Sequence, residues 1–454
     1  MHKHARILLN RLHINRALVY GILNSGWRFA SGPITFILIA KYFTKETQGY
    51  YFTFSSLMAL QTLIELGLGS VIINFSSHEW SKLRLNENGE IDGDRSACSR
   101  LASLGQFSLK WFSIGGVIFT IAVSIWGLQF FSEKSTSGVD WRGPWIGLCI
   151  STGITIALTP LWFLLEGCNQ VSNAYLFRMY QGICMSLIAW IAVMMGAELW
   201  AAVLSTILGI LLALYFLYKK YRHFYLSIFS FNVENRISWR EELLPMQWRL
   251  AVASLGGYFI GSALTPIVFK YLGPIEAGRF GMTYNLIVGA GGVAAMWGSV
   301  RASQFGMLAS KGKYGEMDEL LVQLLVIGAG VLLGFAALIW LFVLFINHYD
   351  YKFAQRLLPP LPTLFLVIGM VASLICHPIG IYLRAHRREP FLLLSIVLGI
   401  VTLVTTILFV KYFMATGVAL AYAMVNVCIA VPWTCAIYFR AKRKWQSHQG
   451  RSQE

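Results

Sequence analysis

Charged residues are scarce in this 454-residue sequence, in which Asp, Glu, Lys and Arg together make up only 13%. A soluble globular protein carries about 25%, so this chain has too few ionisable groups to cover a water-soluble body of its size. Hydrophobic residues account for 56% of the sequence. The composition therefore excludes an ordinary soluble protein and indicates an integral membrane protein.

The sequence also lacks the residue patterns of most chemical sites. Its seven cysteines include no Cys-x-x-Cys pair and lie mostly in or beside apolar runs, which is typical of small buried side chains rather than disulfides. No His, Cys, Asp and Glu cluster has the spacing of metal ligands, and no Ser-His-Asp set can be argued. We therefore expect no enzyme, no metal and no cofactor.

The net charge of +16 does not indicate a nucleic-acid partner. Lys and Arg fall mostly in loops between apolar runs, and no basic amphipathic stripe or stacking motif accompanies them. Loops of this kind orient a multi-pass membrane protein.

Twelve hydrophobic segments have a length near the ~20 residues of a membrane-crossing helix. Their predicted limits are 18–40, 50–74, 104–131, 144–165, 176–196, 199–218, 248–271, 279–300, 319–346, 361–383, 390–411 and 415–438. If the N-terminus is cytoplasmic, 24 Lys and Arg lie on the inner side and 9 on the outer side, where Lys270, Arg279 and Lys411 at the outer ends of their spans are included. The positive-inside rule then predicts cytoplasmic N- and C-termini, and the outer loops are too short to form a domain.

Two pairs of similar segments divide the chain into halves. "KYFTKETQGYYF" (41–52) and "KYLGPIEAGRFG" (270–281) both begin with Lys-Tyr and place Gly eight residues after the Lys. "PLWFLLEG" (160–167) and "PIGIYLRA" (378–385) form a second pair in the same order. We predict two six-helix lobes related by a parallel repeat, with lobes at 1–218 and 248–438, a cytoplasmic linker at 219–247 and a basic tail at 439–454. Such repeats are typical of transporters.

Arg28 lies near the middle of the first predicted span, in "NSGWRFASGP". An arginine at the bilayer centre costs about 2.5–3.5 kcal/mol on insertion scales, and the distance to either membrane surface is too long for its side chain to bridge. Glu65 lies at a similar depth in the second span. The two residues predict either a buried ion pair or a water-accessible cationic site in which Glu65 tunes the charge or binds a proton.

Four further cations lie in or beside predicted spans. Arg249 follows Trp248 near the cytoplasmic end of span seven and is either an interfacial anchor or a cation at the mouth of a cavity. Arg301 ends span eight and is open to the same two interpretations. Lys110 and Arg178 lie in the first turns of their spans, where we expect them to be anchors.

The layout and the segment "LIAKYFTKETQGYYFTFSSLMALQTLIELGLGSVIINF" (38–75) resemble the Wzx-type polysaccharide flippases of the multidrug/oligosaccharidyl-lipid/polysaccharide exporter superfamily. The resemblance is carried by a short outer loop with Glu and Gly before aromatic residues, and by an acidic-Leu-Gly-Leu turn at Glu65. It implies an all-α protein of the bacterial cytoplasmic membrane that moves undecaprenyl-pyrophosphate-linked oligosaccharide to the outer leaflet by alternating access. It also implies a polysaccharide polymerase as a partner.

Four residues are candidates for binding this substrate or for coupling its movement to protons or to the membrane potential. Arg28 would contact the pyrophosphate, Arg249 and Arg301 would lie at the cavity mouth, and Glu65 would take part in coupling. Three alternatives stay open: a multidrug cation antiporter, a lipid II flippase, and a polymerase or ligase of the same pathway. The antiporter needs acidic residues that the spans scarcely contain, the lipid II flippase carries two more spans, and the enzymes need a large outer loop.

Overall fold

The computed structural model describes residues 16–134, 138–234, 237–310, 313–384 and 391–451. These residues are almost entirely helical, as the hydrophobic runs predict. They fall into two compact units, of which the first comprises Met1–Phe43 and Met58–Ser254 and the second comprises Thr44–Leu57 and Leu255–Glu454. The predicted lobe and linker boundaries stay predictions. The short segment Thr44–Leu57 packs with residues of the second half of the chain.

The first half of the chain forms eight helices. They are α1 (Arg16–Tyr42), α2 (Lys45–Met58), α3 (Gln61–Glu65), α4 (Leu68–Trp80), α5 (Arg95–Ser132), α6 (Arg142–Gly167), α7 (Val171–Met194) and α8 (Trp200–Phe229). Within the first unit α5 packs on α6, while α7 packs on both α1 and α8.

The second half begins with a π-turn at Trp239–Leu243. The helices that follow are α9 (Leu244–Ile260), α10 (Leu264–Leu272), α11 (Pro274–Ser310), α12 (Tyr314–His348), α13 (Pro360–Arg384), α14 (Leu392–Val425) and α15 (Val431–Arg451). A 3-10 turn at Lys352–Arg356 precedes α13, and a π-turn at Asn426–Ala430 joins α14 to α15. Within the second unit α13 packs on α11, α12 and α14.

A small β-hairpin between α4 and α5 was not predicted. Strand β1 (Leu83–Leu85) pairs antiparallel with β2 (Ile91–Gly93), so that Leu83 lies opposite Gly93. Asp94 then caps α5 by accepting a hydrogen bond from the backbone N–H of Ala97 at 2.9 Å. Each strand has only three residues, which is too short to leave a clear alternating pattern in the sequence.

Seven helices of the described residues are long and apolar enough to cross a membrane, and up to nine spans result if each of two bent helix pairs counts as one. The chain is therefore a helical multi-pass membrane protein. The difference from the twelve predicted spans arises partly in α14 and α15, which count together as one apolar helix. The number of spans and their orientation stay predictions.

The chain reverses direction inside α14. Met414 has φ 54° and ψ −140°, which no helix contains, and a Cβ on Gly417 would lie 2.2 Å from the carbonyl oxygen of Phe409. Residues eight apart in a straight helix are about 12 Å apart, so this contact requires a turn. Accordingly Leu394 and Leu398 share a buried cluster with Val425. The reversal falls between the predicted spans 390–411 and 415–438.

Candidate functional site

The second span is broken in its middle, at the acidic-Leu-Gly-Leu turn. Lys45–Glu65 and Leu68–Trp80 meet at 45°, because Leu66 has φ 44° and Gly67 has φ 70°. A left-handed conformation is unfavourable for leucine, whereas glycine adopts it freely. A Cβ on Gly67 would also lie 2.2 Å from the Cβ of Leu250 in α9. Position 67 thus requires glycine for its backbone and for the close approach of a neighbouring helix.

The broken ends expose backbone groups that a continuous helix would pair. The indole Nε1 of Trp111 in α5 donates a hydrogen bond to the carbonyl of Ile64 at 3.2 Å. Breaks of this kind within membrane spans often border binding sites, because the ends of the half-helices carry partial charges. We therefore take the break beside Glu65 as the candidate site.

Arg178 of α7 interacts with acidic residues of the first unit. Its Nη2 lies 2.6 Å from Glu166 Oε1 at the end of α6, and the Glu166 side chain is only 12% exposed. The positive charge of Arg178 also acts on the carboxylate of Glu65. Arg178 is therefore ion-paired with Glu166 in the first unit, a contact that the anchor role predicted for Arg178 does not include.

Arg28 is placed differently. Its side chain is exposed on α1, and among the described residues no hydrogen bond or ion pair involves its guanidinium. Its neighbour Trp27 donates to Ser186 Oγ at 3.2 Å and packs on Trp190 of α7, with ring centroids 6.1 Å apart. These contacts fix α1 against α7 and leave the Arg28 side chain outside the interface.

The predicted pair of Arg28 and Glu65 does not form in this structure. The described ion pairs include neither residue, and the charge that acts on Glu65 is that of Arg178. The height argument that matched Arg28 with Glu65 assumed two straight spans. The break at Gly67 shows that this assumption does not hold.

The other two candidate cations belong to α9 and α11. Arg249 belongs to α9, and its side chain lies outside the described part of the structure. Arg301 is partly exposed in the second unit, where its Nη1 donates to Gln323 Oε1 of α12 at 2.8 Å. Their roles at a cavity mouth stay predictions.

Sequence reasoning missed an ionic cluster around Arg100. The Nε of Arg100 lies 2.9 Å from Glu79 Oε1, and its Nη2 lies 2.6 Å from Glu242 Oε2. Glu79 is only 4% exposed. Hydrogen bonding to Arg100 lowers the pKa of Glu242 below its usual value. The cluster joins α4, α5 and the π-turn before α9, three elements whose proximity no local pattern indicates.

The second unit contains a corresponding cluster around Asp318. Asp318 Oδ2 lies 2.6 Å from Lys442 Nζ, and its Oδ1 accepts hydrogen bonds from the hydroxyls of Tyr382 at 2.9 Å and Tyr438 at 3.3 Å. It joins α12, α13 and α15. His377, exposed directly before Pro378 in α13, was also missed, although a histidine inside an apolar run is a signal in itself.

No group of three or more His, Cys, Asp or Glu residues that could hold a metal ion occurs in the described residues. The site therefore consists of charged side chains and broken backbone. Such a site can bind an ionic or polar group and change its own charge by a proton.

No protein-family model matches the sequence, and none of the curated proteins matches it. Solved structures do match. The inward closed conformation of the lipid II flippase MurJ has a TM-score of 0.63 at 14% identity, covering 94% of this chain and 87% of that chain. The multidrug transporter DinF-BH, a MATE protein solved with R6G, has a TM-score of 0.62 at 14% identity and covers 94% and 95%.

A third match is the inward-facing conformation of a MATE family multidrug transporter of the MOP superfamily. Its TM-score is 0.58 at 17% identity, covering 94% of this chain and 98% of that chain. The chain thus has the fold of MOP superfamily transporters over nearly its whole length. At these identities the likeness concerns the fold alone.

Proposed function

We propose that this protein is a flippase that moves an undecaprenyl-pyrophosphate-linked oligosaccharide from the cytoplasmic to the outer leaflet of a bacterial cytoplasmic membrane by alternating access. Its product would feed the synthesis of a cell-surface polysaccharide such as O-antigen, capsule or exopolysaccharide. The fold supports transport of some kind, because the matching solved structures are transporters and a lipid II flippase.

The observation that carries the proposal is the balance of charge in the first unit. Glu166 forms an ion pair with Arg178, whose positive charge also acts on Glu65, whereas Arg28 is exposed and has no ion pair among the described residues. The surplus charge inside the predicted spans is therefore positive. A guanidinium binds phosphate oxygens through two parallel hydrogen bonds, so Arg28 suits a pyrophosphate group.

The same balance argues against the multidrug cation antiporter, which is the alternative that the DinF-BH likeness favours. A cationic drug needs an unpaired carboxylate, and the positive charge of Arg178 already acts on Glu65 and Glu166. For a lipid II flippase, the match leaves part of MurJ uncovered, since it includes 87% of that chain. This agrees with the two additional spans expected of such a flippase.

Energy coupling is assigned to Glu65. Glu65 lies beside a backbone break, and the positive charge of Arg178 acts on it. We infer that proton binding or the membrane potential drives the cycle through this group. Arg249 and Arg301 are proposed as further cations for the pyrophosphate, and a polysaccharide polymerase as the partner that receives the product.

Deletion of the gene tests the proposal. We expect a lipid-linked oligosaccharide to accumulate in the inner leaflet, and plasmid-borne wild-type protein to clear it. Arg28→Ala should leave the accumulation in place, Arg28→Lys should clear it partly, and Lys110→Ala, which removes another exposed cation in a span, should clear it fully. If no lipid-linked sugar accumulates, the flippase proposal fails. If Arg28→Ala clears it at normal protein levels, the role of Arg28 fails.

A further inference from the structure

One face of α8 is exposed along the length of its predicted span. Its exposed apolar side chains recur every three or four residues, so they share one side of the helix. They are Leu204, Ile207, Leu211 and Leu214, which are 42% to 58% exposed. Because α8 is long and apolar enough to cross a membrane, this face is suited to contact the acyl chains of lipids.

The same face changes its chemistry where the predicted span 199–218 ends. Tyr215 and Tyr218 are 61% and 68% exposed, and Lys219 and Arg222 are exposed as well. The four residues are spaced three or four apart and continue the apolar face by one turn and a half. We call Tyr215, Tyr218, Lys219 and Arg222 the tyrosine-cation patch. The positive-inside count predicts that it lies at the cytoplasmic surface of the membrane.

Each cation of the patch lies beside one of its tyrosine rings. Lys219 Nζ lies 5.4 Å from the centroid of the Tyr215 ring and donates a hydrogen bond to the Tyr215 hydroxyl at 3.1 Å. Arg222 Cζ lies 5.9 Å from the centroid of the Tyr218 ring. A cation within about 6 Å of a ring centroid is attracted by the electrons of the ring. The two rings therefore hold both positive charges against α8.

The two cations of the patch have no acidic partner. Among the described residues, no carboxylate forms an ion pair with Lys219 or Arg222. The exposed arginines of neighbouring elements in the first unit are paired by contrast: Arg84 with Asp92 at 3.1 Å and Arg95 with Glu234 at 2.6 Å. Two adjacent positive charges that lack a carboxylate leave room for an anion from outside the protein.

The position of the patch selects the kind of anion. Guanidinium and ammonium groups both bind phosphate oxygens, and the tyrosine hydroxyls are further donors. A soluble phosphate would gain nothing from the apolar face beside the patch. An anionic phospholipid would place its phosphodiester at Lys219 and Arg222 and its chains along Leu211 and Leu214. Anionic lipids of the cytoplasmic leaflet are attracted to basic residues at this depth.

We propose that the tyrosine-cation patch is a binding site for the headgroup of an anionic phospholipid of the cytoplasmic leaflet. Lys219 and Arg222 bind its phosphate, and Tyr215 and Tyr218 hold these two side chains in place. The inference is independent of the proposed function, because lipid binding on this face can be measured in a protein that moves no glycan.

Lipid titration of the full-length protein in detergent, followed by native mass spectrometry, tests the site. Lys219→Gln with Arg222→Gln should weaken the binding of phosphatidylglycerol about tenfold and leave the weaker binding of phosphatidylethanolamine unchanged. Arg84→Gln with Arg95→Gln removes the same charge from paired arginines and should bind phosphatidylglycerol as the wild type does. Equal phosphatidylglycerol binding by the wild type and the patch variant would overturn the proposal, as would an equal loss in the control variant.

A second pair of variants separates the patch from a general effect of charge. Tyr218→Leu keeps the surface apolar but removes the ring beside Arg222, and should weaken phosphatidylglycerol binding about threefold. Tyr180→Leu on α7, where the tyrosine is 57% exposed, should have no effect. Equal affinities of these two variants would contradict the role of the Tyr218 ring.

Competition decides between a phospholipid and the proposed substrate as the occupant of the patch. Undecaprenyl pyrophosphate at the concentration of phosphatidylglycerol should leave most of the bound phosphatidylglycerol in place. If it displaces phosphatidylglycerol from the wild type but no longer binds to Lys219→Gln with Arg222→Gln, the patch belongs to the substrate and the phospholipid assignment fails.

Discussion

At the predicted cytoplasmic ends of the helices, ion pairs join neighbouring helices, whereas at the predicted outer ends the described contact of α2 with α11 relies on glycines and on hydrogen bonds to uncharged acceptors. Arg100 joins Glu79 and Glu242, and Lys442 joins Asp318. Gly49 by contrast touches the backbone of Pro274. Removal of one partner from a buried ion pair is costly because the other charge stays buried, while a glycine contact is disrupted by any added side chain, so the two ends should respond to different substitutions.

The largest effect is expected at Arg100. Arg100→Met removes the cation from Glu79, whose side chain is 5% exposed, and should destabilise the protein by about 3 kcal/mol, since a buried charge loses its partner. Thermal unfolding of the purified protein in detergent measures the change. The double variant Arg100→Met with Glu79→Gln should recover much of the lost stability. If Arg100→Met unfolds at the wild-type temperature, the ion pairs of Arg100 do not stabilise the packing of these helices.

A smaller effect is expected where a glycine holds the contact. Gly67→Ala should destabilise the protein by about 2 kcal/mol more than Gly196→Ala, because both strain a left-handed backbone but only position 67 also overlaps a neighbouring side chain. Gly196 has φ 80° and no atom within 4 Å of a Cβ, which makes it the matched control. Equal unfolding temperatures for the two variants would mean that the contact with Leu250 does not add to the cost of a side chain at position 67.

The smallest effect is expected from pH. Arg100 lowers the pKa of Glu242, so the stabilisation is complete above the ordinary glutamate pKa, about 4.3, and is lost as the pH falls through the lowered value. The unfolding temperature should therefore fall on acidification from pH 5 to about 3, and Glu242→Gln should reduce that slope. A slope that Glu242→Gln leaves unchanged would assign the acid sensitivity to other carboxylates.

The sequence predicted what depends on hydrophobic periodicity and on rare residues. Apolar runs predicted the helices, because a membrane span must be apolar over its length. The rarity of arginine inside such a run made Arg28 a candidate site residue. The equivalent glycines Gly49 and Gly278 were visible as a repeat, but their contact was not, since packing between distant segments leaves no local pattern.

The other differences between prediction and structure also arise from contacts that the local sequence does not indicate. The Arg28 and Glu65 pairing assumed straight spans, and the left-handed Leu66 broke that assumption. Arg178 could have been matched with Glu166, because the short connection Cys168–Gln170 joins two antiparallel spans and brings their ends together. The Arg100 and Asp318 clusters unite residues more than 20 positions apart, which only the fold brings into contact.

The central claim is that Arg28 serves the movement of a pyrophosphate-linked glycan, and translocation by purified protein in liposomes tests it most directly. A labelled undecaprenyl-pyrophosphate oligosaccharide in the inner leaflet would be measured as it becomes accessible to a glycan-modifying enzyme outside. We predict rapid exposure with wild-type protein, at least about tenfold slower exposure with Arg28→Ala, and an intermediate rate with Arg28→Lys. Exposure no faster than in protein-free liposomes, or an Arg28→Ala rate equal to wild type, would contradict the account.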